Sequence, residues 1–270
     1  MTPQQGNRVF MVTGATGTIG QVIARLLAED HAHDVVLAAR NEDKAQKTAA
    51  AIQKATGNTG VRYELVDVAR KQSVEALRAR WAGPLHVLVN NAGQSPPRRE
   101  ETVDGIERQF ATNVLGYFWM MQAFEDILRA HAPARIVCVA SYYAGGLDLA
   151  DPEFKKRRYD NHASYRASKQ ADRMLAAAFA KRLTGTGVTV NACHPGDVPS
   201  KLSSDLGFGG HESPEEGAAT PFWVATAPAG AEQTGKYFAH QREEADPFTK
   251  DGTAVERLVE ICAAYGDEGV

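Results

Sequence analysis

Short runs of β-branched and apolar residues recur along the chain, separated by longer stretches whose apolar positions return every three or four residues. The runs at 9–13, 35–39, 61–66, 87–90, 135–140, 188–193 and 236–239 predict strands. The segments at 19–29, 43–55, 71–80, 104–130, 163–183 and 253–265 predict helices. Their alternation implies an α/β fold, a doubly wound parallel sheet of about seven strands with helices on both faces, formed as a single domain over 1–270. No internal repeat or low-complexity linker breaks the pattern. Two stretches escape it, 142–161 and the Pro/Gly/Ser-rich 195–231. The second is too long for a simple connection and predicts a lid over a substrate.

Composition narrows the class. The chain has 270 residues, of which 43% are hydrophobic and 23% charged, as expected of a well-buried α/β domain. Its formal net charge is −3, and the run Lys155-Lys156-Arg157-Arg158 follows Asp148, Asp151 and Glu153. A solvated loop or helix start accounts for that run better than a nucleic-acid footprint. Cys138, Cys193 and Cys262 are dispersed and form no Cys-x-x-Cys pair, which points to reduced thiols and a cytoplasmic protein. The first six residues are polar with no signal-peptide pattern, and no apolar stretch is long enough to span a membrane. His31 and His33 have no cysteine or carboxylate arranged to complete a metal site, so no metal is expected.

Ligands of open α/β sheets bind outside the carboxyl ends of the strands. The polar and glycine-rich positions fall there. Gly14, Thr16, Gly17, Thr18, Ile19 and Gly20 follow the first strand and open a helix. Glycines allow a tight turn and close approach of a pyrophosphate, and the helix N-terminus supplies N–H donors. A Rossmann-like dinucleotide site follows from that placement. Arg40 and Asn41 end the second strand with no acid at the tip; arginine suits a 2′-phosphate, so NADP(H) is favoured over NAD(H). Asp67 and Val68 follow the third strand, where Asp67 could accept from an adenine amino group or cap a helix. Asn91, Ala92 and Gly93 follow the fourth strand and leave room for a cofactor. Ser141 follows the fifth, and Pro195, Gly196, Val198 and Ser200 the sixth. Tyr165 and Lys169 lie four apart on one helix face. A phenol titrates at about 10, and a nearby ammonium favours the phenolate, so the pair can serve as an acid/base device. Tyr and Lys four apart also occur on ordinary solvated helices.

Taken together, residues 13–20, Asp67, Asn90 to Gly93, Asn113, Ser141, the Tyr165-x-x-x-Lys169 pair and Pro195-Gly196 resemble the short-chain dehydrogenase/reductase family over nearly the whole chain. Residues 38–41, 112–118 and 235–238 are similar to its branch of retinol dehydrogenases and protochlorophyllide reductases. The resemblance implies that Tyr165 exchanges a proton with the substrate oxygen. It implies that Lys169 lowers the Tyr165 pKa and bonds the nicotinamide ribose, that Ser141 donates to the carbonyl oxygen, and that Asn113 holds a water linking Lys169 to solvent. Gln94, Ser141, Tyr142, Tyr143, Gly196 and Phe208 should line the substrate pocket, and the paired tyrosines favour a ring-bearing carbonyl or alcohol. The loop departs from the family's compact spacing: Thr18 replaces the middle glycine and Gly17 sits one place earlier. Ala140 replaces a frequent second serine, and Ser200 stands where a threonine often meets the nicotinamide side. The resemblance also implies a homodimer or homotetramer through the two long helices, with a monomer left open. A C=C reductase, a sugar-nucleotide epimerase or dehydratase and a non-enzymatic NADP-binding redox sensor are the alternatives.

Overall fold

A computed structural model describes residues 7–266. The polar N-terminal hexapeptide lies outside the described residues. In chain order the elements are β1 (Arg8–Thr13), α1 (Thr18–Ala28), β2 (His33–Ala39), α2 (Glu42–Thr56), β3 (Val61–Leu65), α3 (Lys71–Arg80) and β4 (Val87–Asn90). Next come a π-helical turn (Phe110–Leu115), α4 (Gly116–Ala130), β5 (Ala134–Val139), α5 (Asn161–Arg182) and β6 (Val188–Cys193). The chain ends with α6 (Lys201–Asp205), α7 (Pro214–Thr226), α8 (Pro228–Glu232), β7 (Tyr237–Ala239), β8 (Arg242–Glu244) and α9 (Gly252–Ala264). The sheet order is β3-β2-β1-β4-β5-β6-β7-β8, parallel throughout except for the antiparallel β8. Strand order reverses between β1 and β4, so their carboxyl ends open a crevice.

Alternation along each strand feeds two cores. In β1, Val9 and Met11 face one side and Phe10 and Val12 the other. The first side buries α3, α4, α5 and α9; the second buries α1, α2 and α7. Both faces are covered, which is why the strands read as continuous apolar runs.

Several boundaries differ from the pattern. The helix expected from 104 does not start there, because Gly105 turns the chain at φ +74°. Regular helix follows only after the buried Glu107 carboxylate has accepted the N–H groups of Gln109 (2.8 Å) and Phe110 (2.7 Å). β8 was not expected, because Arg242, Glu243 and Glu244 are all exposed and carry no apolar signal. It joins β7 through His240 and Gln241, both at positive φ, as a two-residue hairpin turn requires.

The 195–231 stretch contains three helices. Only its first part borders the crevice; α7 is a packed element that buries Ala218, Val224 and Ala225. Its start carries a capping box between Ser213 and Glu216 with proline in the first turn. In the other irregular stretch, the backbone of the basic run wraps the buried Asp151 carboxylate, which accepts from the N–H groups of Lys155, Lys156 and Arg157. His31 and His33 each bond a backbone carbonyl, and the three cysteines are free and buried. Among the described residues, no helix is long and apolar enough to cross a membrane.

Candidate active site

β1 brings Thr13 to the carboxyl edge, where its hydroxyl accepts from the N–H groups of Asn91 (2.9 Å) and Ala92 (3.1 Å). The Asn91 amide donates back to the Thr13 carbonyl at 3.0 Å. The two strands flanking the crevice are thereby tied together at their ends. Gly14 sits at φ +63°, and a Cβ there would lie 2.8 Å from Ala92 Cα. A Cβ on Gly20 would collide with the Gly14 carbonyl oxygen. Both positions require glycine. Gly17 caps α1 with no side chain on the exposed N–H groups, and the first turn holds no acid. The N–H donors and the positive end of the helix dipole stay available to an anion, so the cradle fits a dinucleotide pyrophosphate.

One cleft runs along this edge. Its walls include Gly14, Thr16, Gly17, Thr18, Ile19, Gly20, Arg40, Asp67, Val68, Asn91, Ala92, Gly93, Pro195, Gly196, Val198 and Ser200. Ser141, Tyr165, Lys169, Gln94, Tyr142, Tyr143 and Phe208 line it too. Two expected residues lie outside this lining. Asn41 caps α2 instead, accepting from the Lys44 N–H at 2.9 Å. Asn113 is fully buried, donating to the Gln94 carbonyl and to Ser168 Oγ, both at 3.0 Å, while its oxygen accepts from the Gln94 N–H at 3.0 Å. Its amide is thus occupied in holding Gln94 against α5. The Gln94 side chain is also engaged, with Arg108 O and Thr112 Oγ1. Asp67 makes a turn onto the Ala69 N–H at 3.1 Å while still facing the cleft.

At the far end α5 presents Tyr165 and Lys169, both buried. The Lys169 ammonium lies 5.8 Å from the Tyr165 ring centroid and donates to the Val139 carbonyl (2.9 Å) and to Asp172 Oδ2 (2.8 Å). Burial raises the Tyr165 pKa; Lys169 and Ser141 pull it down, but Asp172 and Tyr142 push it up again, and the net shift is upward. Lys169 thus acts in the expected direction, and burial outweighs it. Burial opposes the Lys169 charge, yet Asp172 and Tyr165 more than offset that, so its pKa also rises. Burial, with help from His240 and Arg173, lowers His194 to about 4, leaving a neutral imidazole on the cleft wall near neutral pH.

The mouth is aromatic. Tyr143 stacks over Tyr165 with centroids 6.4 Å apart and meets Phe208 edge-on at 5.3 Å. His162 packs against Phe208 at 5.4 Å, and Tyr142, 61% exposed, rests its edge on His194 at 4.4 Å. Sequence reasoning missed His162, at the aromatic mouth, and Asp172, bonded to Lys169; the expected lid supplies Leu202 and Leu206 to the cleft. His162 precedes Tyr165 by three and Asp172 follows Lys169 by three, a helical spacing that could have found both.

A family model of short chain dehydrogenases matches residues 8–207. Mouse (Mus musculus) retinol dehydrogenase 13 is 33% identical, the match covering 97% of this chain and 86% of that protein. Two solved structures share the fold. The Pseudomonas aeruginosa RhlG/NADP active-site complex is similar with TM-score 0.69 and 27% identity, over 87% of this chain and 95% of that one. A variant of actinorhodin polyketide ketoreductase with NADPH gives TM-score 0.67 and 28% identity, over 87% and 95%. The chain belongs to the short-chain dehydrogenase family, in its retinol-dehydrogenase-like branch, and is an oxidoreductase of the alcohol–carbonyl interconversion.

Proposed function

We propose that the protein is an NADP(H)-dependent carbonyl reductase or alcohol dehydrogenase for a small ring-bearing substrate, with Tyr165 as general acid/base. The observation that carries this reading is a single cleft shared by the open N-terminus of α1, Arg40 and the buried Tyr165–Lys169 pair. The N–H groups of α1 would hold the pyrophosphate, Arg40 the 2′-phosphate and Lys169 the nicotinamide ribose. Bound there, the cofactor supplies or accepts the hydride. The chain's own residues handle the oxygen. Ser141 donates to it as charge develops, and Tyr165 delivers its proton in reduction. His194, neutral near neutral pH, lacks the acidic imidazolium form that could compete for the same task. Tyr142, Tyr143 and Phe208 give a flat substrate rings to stack on. Both structural relatives named above were solved with NADP or NADPH, which supports the cofactor assignment.

The test mixes the protein with NADPH or NADH and a panel of ring-bearing and aliphatic ketones, following the nicotinamide absorbance. Turnover should require NADPH, favour ring-bearing ketones and fall by at least about 100-fold in Tyr165→Phe. A Tyr165→Phe variant as fast as the native protein would remove Tyr165 from the mechanism.

A further inference from the structure

Asp172 is an ionisable group that the acid/base reading does not use. It is fully buried on α5, one turn beyond Lys169. One carboxylate oxygen accepts from the Lys169 ammonium at 2.8 Å; the other has no hydrogen-bond partner among the described residues. The Val139 carbonyl takes a second ammonium proton, so only one of the three Lys169 donors remains for the cleft. A buried carboxylate is costly unless something requires it, and packing alone would be met by leucine or asparagine.

We propose that Asp172 is a positioning residue for the acid/base pair: it anchors the Lys169 ammonium against β5 and offsets the charge that would otherwise draw the proton from Tyr165. The inference rests on the reading of Tyr165 as the acid/base. With Asp172 ionised, lysine and carboxylate together are neutral, and Tyr165 stays a phenol ready to protonate a carbonyl. With Asp172 protonated or replaced by a neutral residue, the ammonium acts on Tyr165 unopposed and the phenolate forms more readily. Asp172 therefore biases the enzyme toward reduction and moves the pH at which it oxidises alcohols upward.

The surroundings leave the effect with this trio. Tyr117 of α4, Cys138 of β5 and Cys262 of α9 feel the Asp172 charge, and Cys193 of β6 feels Lys169. Burial raises all four, so none carries charge near neutral pH. Burial also pushes the Asp172 carboxyl itself up to about 7, against the opposing pull of Lys169. The compensating charge is thus one that ordinary changes of pH can remove.

The experiment labels tyrosine Cζ with carbon-13 and follows the Tyr165 resonance, assigned through Tyr165→Phe, as a function of pH. In Asp172→Asn, which keeps size and a hydrogen-bond acceptor, the phenol midpoint should fall by about one pH unit. An unchanged midpoint would overturn the proposal. If Asp172→Asn does not fold, Asp172→Ser, which also removes the charge, serves instead: the same fall is expected, and an unchanged midpoint overturns the proposal equally. Neither readout needs a substrate, so a protein that reduces no ketone would refute the reductase reading while leaving this test intact. Where turnover is found, the rising limb of alcohol oxidation against pH should move down with the phenol midpoint.

Discussion

Arg40 is exposed at the tip of β2 and lines the cleft, and among the described residues no carboxylate pairs with it. The nearest acids in sequence, Glu42 and Asp43, sit in the first turn of α2, where they favour that helix's own N-terminus. A guanidinium without a partner beside a dinucleotide cradle is suited to an extra phosphate. Arg40→Ala should raise the KM for NADPH about 10- to 100-fold, the range of one charge-assisted contact, and leave NADH nearly unaffected. Steady-state kinetics with both cofactors reads this; equal losses would make Arg40 a scaffold residue. The placements of single residues were legible where polar chemistry and a strand end coincide, as at Gly14, Arg40 and Ser141. They were not legible where a side chain turns inward. Asn113 looks like a cleft residue by type and position, yet its amide bonds the backbone N–H and carbonyl of Gln94. The sign of the Tyr165 shift was hidden for a related reason: the spacing shows Lys169 beneath the phenol, but not that burial and Asp172 would outweigh it.

At the scale of elements, the π-helical turn is the piece most open to test, since it carries Asn113 and begins on Glu107. Both Glu107 oxygens accept backbone N–H groups, so Glu107→Gln would turn an amide N–H₂ toward a donor and should cost about 1–3 kcal/mol. The cost depends on pH. Burial raises the Glu107 carboxyl from its ordinary range to about 7, against the opposing Gln109 and Phe110 N–H groups. Between roughly 4.5 and 7 the folded chain therefore holds a proton that the unfolded chain has released. This group's contribution is complete below that window and declines as pH rises through it, at up to about 1.4 kcal/mol per unit. Denaturant unfolding of native and Glu107→Gln protein should show the gap between them widening from pH 7.5 to 5.5. A constant gap would mean that Glu107 does not titrate there. The strands and long helices themselves were legible because burial on both faces writes them as apolar runs. The turn at 104–109, the β8 edge and α7 were not. They consist of a positive-φ glycine turn, a fully exposed strand and a Pro-Ala-Gly-rich helix, none of which leaves an apolar period to read.

For the whole molecule, the family likeness points to pairing through the long helices, and the packing of α5 argues against it for this helix. Of its 22 residues only Arg166, Lys181 and Arg182 are exposed. α9 lays Val255, Leu258 and Cys262 into the same core that receives Ala171, Met174 and Leu175 of α5. Lys181 then pairs with Glu256 at 2.9 Å, and Arg182 with Glu125 at 2.8 Å, across the outer edge. A lasting homodimer needs a partly apolar patch on each subunit, on the order of 800 Å². α5 keeps no such surface, because α9 of the same chain already occupies it. On α4 the exposed positions include Gln122, Asp126 and Arg129, and Asp126 is bridged to Arg78 of α3 at 2.6 Å. Sedimentation velocity at low micromolar concentration should therefore show the mass of one 29.2 kDa chain, unchanged on dilution. A dimer would overturn this, and Leu258→Ala would then show how: if the deletion strengthens the dimer, α9 is displaced on assembly, and if dimerisation is unchanged, the copies meet away from α5.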